Sequence, residues 1–473
     1  MRNARVSNSA KDNARADCSP YTFATMVEGN SILVNDPALW PIAEKVRAGE
    51  ILSYDDGVSL SRSRDIHGIG RLANVVREQL HGDRTYYNRN RHINYTNVCA
   101  LSCKFCSFYR KRGEEGAYEM PVEQVVEIAR KAADAGATEV HIVGGLHPWL
   151  KFDYYLNMLR GIRAACPSLH IKAFTAIEIV HFSRIARLSI AEVLAALREA
   201  GLGSMPGGGA EIFDDRVHDE AFKGKVRADK WFEVHRTAHR LGIFTNATML
   251  YGHVERPEER ITHLVKLREL QEEGTAGKKP EARSQKPVGG SGFGVQGSGA
   301  ETLYSPQSSV LNPQSSIQHS AFSIQHSSLN PEPRTPNPPP ACFNCMIPLS
   351  FVPERSELGY LPGPTGLTDL KTLAIARLML HNIAHIKAFW IMQGIGLSQL
   401  ALSWGCDDLD GTVVWYDITK RQGDGTHQEL HVHDIQRLIR EAGRIPVERD
   451  TLYRPIRRDP ESGRVTAAEP ALA

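Results

Sequence analysis

The stretch that decides the fold is residues 92–106, with the sequence His92-Ile-Asn-Tyr-Thr-Asn-Val-Cys99-Ala-Leu-Ser-Cys103-Lys-Phe-Cys106. A strand-like segment, residues 92–98, runs directly into three cysteines with three residues between the first pair and two between the second. In a tight loop this spacing lets three sulfurs converge on one metal centre. A zinc site would bring a fourth Cys or His close by, and an electron-transfer iron–sulfur cluster takes four thiolates. Three thiols without an obvious fourth therefore indicate a cluster with one open iron, and three packed structural cysteines are the alternative.

The composition is that of an ordinary globular protein. The 473 residues include 41% hydrophobic residues, and 56 basic against 54 acidic residues leave a net charge of +2. So small a charge argues against nucleic acid or an anionic membrane as a partner. No apolar run reaches the length of a membrane span, and the N-terminus has no apolar core of a secretory signal. Eight cysteines, three of them clustered, favour metal chemistry in a reducing cytoplasm.

From His92 onward, strand-like and helix-like stretches alternate along the chain. Strands are predicted at 92–98, 139–144, 170–175, 202–206, 244–250, 343–349, 385–392 and 408–413. Helices are predicted at 121–135, 153–165, 190–200, 228–241, 257–272, 369–380, 395–404 and 433–442. Eight β-then-α units are the number in a TIM-type (β/α)8 barrel, so the sequence predicts an α/β barrel.

The remaining segments are predicted to surround or interrupt this barrel. Residues 1–36 are polar and predict a disordered extension, and residues 37–91 contain helical patterns that predict an N-terminal helical cap. The barrel occupies residues 92–273 and resumes at 342–457, and the tail 458–473 is predicted to be disordered. Between the two parts, residues 274–341 are rich in Gly, Ser, Gln, Asn and Pro and repeat "IQHS" at 317–320 and 324–327. This composition predicts a disordered low-complexity insertion, with a functional lid as the alternative.

The pattern Cys-x3-Cys-x-aromatic-Cys resembles the signature of radical S-adenosylmethionine (SAM) enzymes. In that superfamily three thiolates hold a 4Fe–4S cluster, and the open iron binds the amino and carboxylate groups of SAM. The blocks "HINYTNVCALSCKFCSFYRKRGEEGAYEM", "EVHIVGGLHPWL", "SMPGGGAEIF" and "LPGPTGLTDLKTLAIARLML" further resemble the aminodeoxyfutalosine synthase family of the futalosine route to menaquinone. The resemblance covers about residues 50–273 and 343–453.

The resemblance implies a radical SAM transferase that uses SAM as a co-substrate. The expected reaction adds the 5′-deoxyadenosyl radical to 3-[(1-carboxyvinyl)oxy]benzoate, with loss of one carboxylate, to give aminodeoxyfutalosine. It also implies a small-molecule substrate and an electron donor such as flavodoxin or ferredoxin. One alternative is a hydrogen-abstracting radical SAM cyclase, such as dehypoxanthine futalosine cyclase or a deazaflavin-assembly enzyme. A non-catalytic iron–sulfur protein is the third hypothesis, and it would be expected to bring a fourth cysteine.

Residues for the metal and the cofactor follow from the motif and the resemblance. Cys99, Cys103 and Cys106 are the expected cluster ligands, and the resemblance places Phe105 near the adenine of SAM. The turn Gly144-Gly145 after the second predicted strand matches the turn that receives the methionine amino group in radical SAM enzymes. Glu178 follows the third predicted strand, where a carboxylate could receive a ribose hydroxyl or the sulfonium end of SAM; a solvated loop residue is the alternative.

Residues for the substrate are predicted from their positions after barrel strands. Three consecutive glycines can adopt backbone conformations closed to other residues and leave amides exposed to an anion or a ribose. Phe108 or Tyr109 is expected to line the same pocket, whereas Cys342 and Cys345 are expected to be packing thiols. The substrate-binding candidates are His147, Gly207, Gly208, Gly209, His253 and Asp410.

Overall fold

The computed structural model describes residues 34–276, 341–413 and 429–468. A 3-10 helix at Pro37–Leu39 precedes the first α-helix. The α-helices are α1 Trp40–Ala48, α2 Tyr54–Arg62, α3 Ile66–His81, α4 Val122–Asp134, α5 Phe152–Ala165, α6 Ala176–Ala186, α7 Ile190–Ala200, α8 Asp215–Ala221, α9 Ala228–Arg240, α10 Pro257–Ala276, α11 Gly366–Met379, α12 Trp390–Gln393, α13 Ile395–Ala401 and α14 Val432–Glu441. The strands are β1 Arg84–Asn88, β2 Asn90–Ile93, β3 Glu139–Ile142, β4 His170–Ala173, β5 Ser204–Met205, β6 Phe244–Tyr251, β7 Phe343–Ser350, β8 His385–Ile386, β9 Asp408–Gly411, β10 Ile445–Glu448, β11 Ile456–Arg458 and β12 Val465–Ala468.

A parallel sheet forms the centre of the molecule. Within the described residues, seven strands pair in the order β2-β3-β4-β5-β6-β7-β8, and every pairing is parallel. A second parallel sheet has the order β10-β1-β9. Helices connect successive strands, which is the arrangement that parallel pairing requires. The structure thus confirms the predicted α/β barrel fold.

Strand β9 closes the curled sheet. On one side, the Ala388 amide donates to the Asp408 carbonyl, 2.8 Å away, and Lys387 and Asp408 form a parallel bridge. On the other side, β9 pairs with β1, and the His92 amide of β2 donates to the Val413 carbonyl over 3.0 Å. Because only Arg89 separates β1 from β2, β9 spans the gap between β8 and β2 as the eighth strand of the barrel.

The N-terminal helices lie on the outside of the barrel against α10 and α11. Gly57 of α2 lies so close to Ile261 and Met379 that an added Cβ would be 2.8 Å from the Ile261 side chain. The Arg268 guanidinium donates to the Leu52 carbonyl over 2.7 Å, and the Lys371 ammonium donates to the Ser63 carbonyl over 2.7 Å. Helix α2 begins at a capping box between Ser53 and Asp56, which satisfies backbone donors that the first turn leaves free.

Several elements differ from the sequence prediction. The predicted strand at 385–392 is β8 for two residues, and helix α12 occupies 390–393, where the Trp390 indole donates to the Gly411 carbonyl over 3.0 Å. The segment that contains Glu178 is helix α6 rather than a loop. Residues 84–88, placed in the helical cap by the sequence, form strand β1.

The tail prediction needs a correction over residues 458–468. There β12 pairs antiparallel with β11, and the Arg458 guanidinium forms an ion pair with Glu448. The Asp459 carboxylate accepts the amides of Glu461 and Ser462 and so fixes the turn between the two strands. Residues 1–33, 277–340 and 469–473, on which the extension, the insertion and the end of the tail were predicted, lie outside the described residues. None of the helices in the described parts of the chain combines the length and the apolar character needed to cross a membrane.

Candidate active site

A cavity of about 270 Å³ opens at the carboxyl ends of the barrel strands. This end of a parallel barrel is where the βα loops converge and where barrel enzymes bind their substrates. The cavity wall consists of the cysteine loop, the turns after β3, β4 and β5, side chains of β6, β7 and β9, and the segment that follows β8. Its lining includes Cys99, Cys103, Phe105, Cys106, Phe108, Tyr109, Gly144, Gly145, Glu178, Gly207, Gly208, Gly209, Glu211, Lys225 and Asp410.

The cysteine loop is fixed by hydrogen bonds to its two neighbours. The Ala100 amide donates to the Leu146 carbonyl over 2.8 Å, and the Cys99 amide donates to the Arg110 carbonyl over 3.1 Å. The Leu101 and Leu146 amides both donate to the Cys99 Sγ over 3.4 Å. These hydrogen bonds fix the position of the Cys99 sulfur at the cavity wall.

The glycine turn after β3 allows this loop to lie against the barrel. A Cβ on Gly144 would be 2.6 Å from the Tyr95 ring, and a Cβ on Gly145 would be 2.4 Å from the Val98 carbonyl oxygen. The sequence predicted that these glycines allow a ligand to approach the backbone. In the structure the segment that approaches them is residues 95–98, just before Cys99, so the turn after β3 packs directly against the start of the cysteine loop. The approach of a ligand stays a prediction.

Glu178 is buried at the first turn of α6 and accepts four hydrogen bonds. Its Oε1 accepts the Tyr95 hydroxyl at 2.9 Å and the Gly144 amide at 3.1 Å. Its Oε2 accepts the Thr175 amide and hydroxyl, each at 2.7 Å, as the carboxylate of a capping box. The solvated-loop alternative is therefore wrong, and the carboxylate positions the Gly144 turn at the cavity wall. Burial raises the pKa of Glu178, and the four donors oppose this shift.

The three glycines after β5 bring two other elements close to the cavity. A Cβ on Gly207 would be 2.6 Å from the Asn246 carbonyl oxygen of β6. Gly209 has a φ of +127°, which side chains rarely adopt, and its Cβ would be 3.0 Å from the Ile177 amide nitrogen. The Gly207 carbonyl accepts the Trp231 indole N–H over 3.1 Å. All three glycines line the cavity.

The deep end of the cavity is polar. His92 of β2, His141 of β3 and Lys172 of β4 are neighbours in the strand register, and Lys387 follows β8. These four residues and Asp410 line the cavity below the turns that carry the cysteines; together they are called the cavity base. The Lys172 ammonium lies 2.9 Å from Glu139, and the Lys387 ammonium forms an ion pair with Asp410.

The chain matches two known family models and several named proteins. The Radical SAM superfamily model matches residues 93–267, and the model of the CofH/MqnC C-terminal region matches residues 343–462. The aminodeoxyfutalosine synthase of Thermus thermophilus is 41% identical over 428 residues, which are 90% of this chain and 97% of that protein. The chain belongs to the radical SAM superfamily.

Other relatives of this radical SAM chain are named for a different activity than the synthase of Thermus thermophilus. The 5-amino-6-(D-ribitylamino)uracil–L-tyrosine 4-hydroxyphenyl transferase of Methanopyrus kandleri is 34% identical over 411 residues, which are 85% of this chain and 94% of that protein. Among solved structures, methylornithine synthase (PylB) matches with a TM-score of 0.59 at 16% identity, covering 86% of this chain and 97% of that one. That likeness shows the fold alone. The chain is a radical SAM transferase, and its superfamily uses a 4Fe–4S cluster and SAM.

The donor set fits this cluster. Three thiols line one cavity, and within the described residues no fourth cysteine joins them there. Burial raises the pKa of Cys103 to about 12, while the nearby Lys225 ammonium lowers it. Burial likewise raises the pKa of Cys106. Metal binding must therefore displace protons from these thiols, as is usual for thiolate ligands. Cys345 is a free, buried thiol at the start of β7 and, like the buried Cys342, does not line the cavity.

The sequence did not indicate Lys225, a charged side chain that lines the cavity beside the three thiols. Lys225, between α8 and α9, forms an ion pair with Glu211 and lies 4.9 Å from the centre of the Phe105 ring. Phe105 also packs edge-on against Phe222. Glu211 stood inside the quoted glycine block, but Lys225 is one of many loop lysines, so nothing local in the sequence singled it out.

Two predicted substrate residues lie elsewhere. Within the described part of the chain, neither His147 nor His253 is among the residues that line the cavity. The Nδ1 of His147 accepts the Leu150 amide over 3.1 Å, and its Nε2 lies 2.7 Å from Glu119. The His253 Nε2 lies 3.0 Å from the Leu250 carbonyl. Both histidine rings thus hold loops in place. Of the other residues predicted to lie at this pocket, Asp410, Phe108 and Tyr109 do line the cavity.

Proposed function

We propose that this chain is a radical SAM synthase that joins the 5′-deoxyadenosyl group of SAM to 3-[(1-carboxyvinyl)oxy]benzoate and gives aminodeoxyfutalosine. The main support is the 41% identity to the Thermus thermophilus aminodeoxyfutalosine synthase across 97% of that protein's length. The match covers 90% of this chain and therefore extends over most of both regions that family models match.

The cavity supports the proposal because it offers two different environments. Cys99, Cys103 and Cys106 are the proposed cluster ligands, with Phe105, Gly144 and Gly145 proposed to contact SAM near them. When bound, the reduced cluster cleaves SAM into methionine and a 5′-deoxyadenosyl radical. The polar cavity base lies deeper in the barrel. An adenosyl group and an anionic aromatic acid can therefore lie in one enclosed space.

The proposed reaction balances without a net oxidant or reductant. The adenosyl carbon forms a new bond to the enol-ether CH2 group, the ether bond to the ring is exchanged for a carbon–carbon bond, and one carboxyl group is lost. Counting atoms, SAM, the enolpyruvyl benzoate and one water give aminodeoxyfutalosine, methionine, bicarbonate and one proton. The electron that starts the reaction is recovered when the product forms.

We infer that a low-potential carrier such as flavodoxin or ferredoxin supplies that first electron. Ser102 and Lys104, which lie between the cysteines, are exposed at the surface. The loop edge thus gives a carrier direct access to the proposed cluster position.

The alternative is a radical SAM enzyme that abstracts hydrogen, and the 34% identity to the Methanopyrus kandleri tyrosine hydroxyphenyl transferase favours it as the second candidate. An enzyme of that kind releases 5′-deoxyadenosine, whereas a synthase consumes the adenosyl group. Anaerobic incubation with dithionite, SAM and the enolpyruvyl benzoate, followed by mass spectrometry, separates the two. An adenosine-containing adduct equal in amount to the methionine formed is the expected result, and 5′-deoxyadenosine without an adduct would refute the proposal.

A further inference from the structure

The cavity base contains two buried ammonium groups that face a cavity. The side chains of Lys172 and Lys387 are only 4% and 3% exposed. Both lie in the same pentapeptide, His-Ile-Lys-Ala-Phe, which occurs at 170–174 and again at 385–389. Lysine is almost never fully buried unless it is paired. The presence of one lysine in strand β4 and of another directly after strand β8, both bordering the cavity, therefore requires a physical reason.

The carboxylate partners use only part of the donor capacity of these lysines. An ammonium has three N–H donors. Among the described residues, Lys172 has an ion pair with Glu139 and Lys387 has one with Asp410, and both ammonium groups border the cavity. The Glu139 carboxylate in addition accepts the Thr451 hydroxyl over 2.6 Å. Donors of both lysines therefore remain available to an acceptor that enters the cavity.

The two histidines add neutral donors. Their ring centres are 4.4 Å apart. His141 pairs with Lys172 in the strand register, and both rings line the cavity together with the two lysines. Burial lowers the pKa of His92 to about 4, with Lys172 and Lys387 acting in the same direction against Asp410 and Glu139. Burial also lowers the pKa of His141 well below its usual value. At neutral pH each ring is uncharged and can donate one N–H.

The backbone at Asp410 is strained at the same place. Asp410 has a φ of +66°, in the left-handed region that residues with side chains rarely adopt. Its amide donates to the Asp408 carboxylate, and its own carboxylate holds Lys387. Such strain persists only where the surroundings enforce it, and it clusters at binding sites.

We propose that the cavity base is an anion subsite that receives the ring carboxylate of the aromatic substrate. Lys172 and Lys387 supply the positive charge, and His92 and His141 supply neutral N–H donors. The identity of the bound acid rests on the proposed function. In the enolpyruvyl benzoate the double bond must face the adenosyl group near the cysteine loop, so the ring carboxylate, at the opposite end of the molecule, points into the barrel.

The test measures whether the subsite prefers a carboxylate to a neutral group of the same shape. Isothermal titration calorimetry under anaerobic conditions compares 3-methoxybenzoate with 3-methoxybenzamide on reconstituted protein with SAM. Since a hydrogen bond to a charged group is worth at least about tenfold in affinity, wild type should bind the benzoate about 10-fold or more tightly. The variant Lys172→Met with Glu139→Gln removes one cation together with its partner, so no buried charge is left unpaired. Its preference should fall to within about threefold.

A matched control is Lys230→Met with Glu233→Gln, which removes an exposed ion pair of the same chemistry on α9. This variant should keep the wild-type preference. Equal binding of the two probes to wild type would overturn the proposal whatever the variants do, and so would an undiminished preference in a well-folded Lys172→Met, Glu139→Gln protein. Failure of the proposed function is distinguishable, because it would appear as a missing adenosine adduct while the carboxylate preference persists.

Discussion

Replacing Gly145 by alanine should displace the cluster loop from the barrel. The added Cβ would be 2.4 Å from the Val98 carbonyl oxygen, which is about 1.0 Å short of the 3.4 Å at which ordinary van der Waals contact begins. Backbone on both sides must move, since the Gly145 amide also donates to the Thr96 carbonyl over 2.9 Å. Overpacking of this kind costs about 1–3 kcal/mol of unfolding free energy.

The functional effect of Gly145→Ala should exceed the effect on stability. Metal–ligand distances tolerate only about 0.2 Å, so a loop shift several times larger moves the Cys99 thiolate out of range. We expect the iron and sulfide content after anaerobic reconstitution to fall by more than half, and Tm to drop by about 1–4 °C.

The control for this change is Gly396→Ala in helix α13, where an added Cβ would meet no atom within 4 Å. Alanine there should raise stability by about 0.4–1 kcal/mol, because it fits the native backbone without a clash and has fewer conformations than glycine in the unfolded chain. Cluster content should stay at the wild-type level. Full iron content and an unchanged Tm in Gly145→Ala would refute the argument that close approach at this turn sets the position of the loop.

Three further results are expected. Glu178→Gln replaces one of the two carboxylate oxygens, each of which accepts two hydrogen bonds, by an NH2 donor, which should cost about 1–3 kcal/mol of unfolding free energy and weaken SAM binding. The matched change Glu192→Gln, in an exposed capping box with Ser189, should lower Tm less than Glu178→Gln does, and equal Tm values for the two variants would contradict this. Burial lowers the pKa of His239 and His263 to about 3, so the unfolded chain binds more protons than the folded chain between about pH 3 and 6.5. The stabilising effect of these two neutral histidines should be complete above pH 6.5 and should decrease as the pH drops, by up to about 1.4 kcal/mol per pH unit for each histidine. A urea midpoint that does not change between pH 7 and 5.5 would exclude this. Replacing residues 277–340 by a short Gly-Ser linker should preserve turnover. A Cβ on Gly274 would be 3.3 Å from the Ala341 carbonyl oxygen, so the chain segments on the two sides of the replaced residues lie next to each other. A deletion variant that folds but is inactive would instead favour a functional lid.

The barrel could be predicted because its signals are local. Alternating apolar strands and amphipathic helices determine a parallel α/β fold through short-range patterns. The exceptions are elements whose hydrogen bonds come from distant residues. Strand β1 pairs with β9 and β10, more than 300 positions later in the chain, and helix α12, where a strand was predicted, places the Trp390 indole against the Gly411 carbonyl of β9.

Some residues of the candidate site could likewise be predicted from local patterns, and others could not. The cysteines and glycine turns carry local patterns, so the sequence indicated them. The cavity base depends on strand register, which places His92 beside His141 and His141 beside Lys172, and register is not contained in any one segment. The repeated pentapeptide His-Ile-Lys-Ala-Phe was the available signal for it. His147 was assigned to the substrate because it follows a strand, but its ring turns toward Glu119 and its own loop.

The most direct measurement of the central claim follows the two hydrogens at C5′ of SAM. Reconstituted protein is reduced anaerobically with dithionite and incubated with 5′,5′-dideuterated SAM and the enolpyruvyl benzoate. Radical addition predicts one product that contains adenosine and retains both deuterium atoms, with methionine formed in equal amount. Formation of 5′-deoxyadenosine that has gained a third hydrogen from the substrate, without any deuterated adduct, would contradict the proposed synthase.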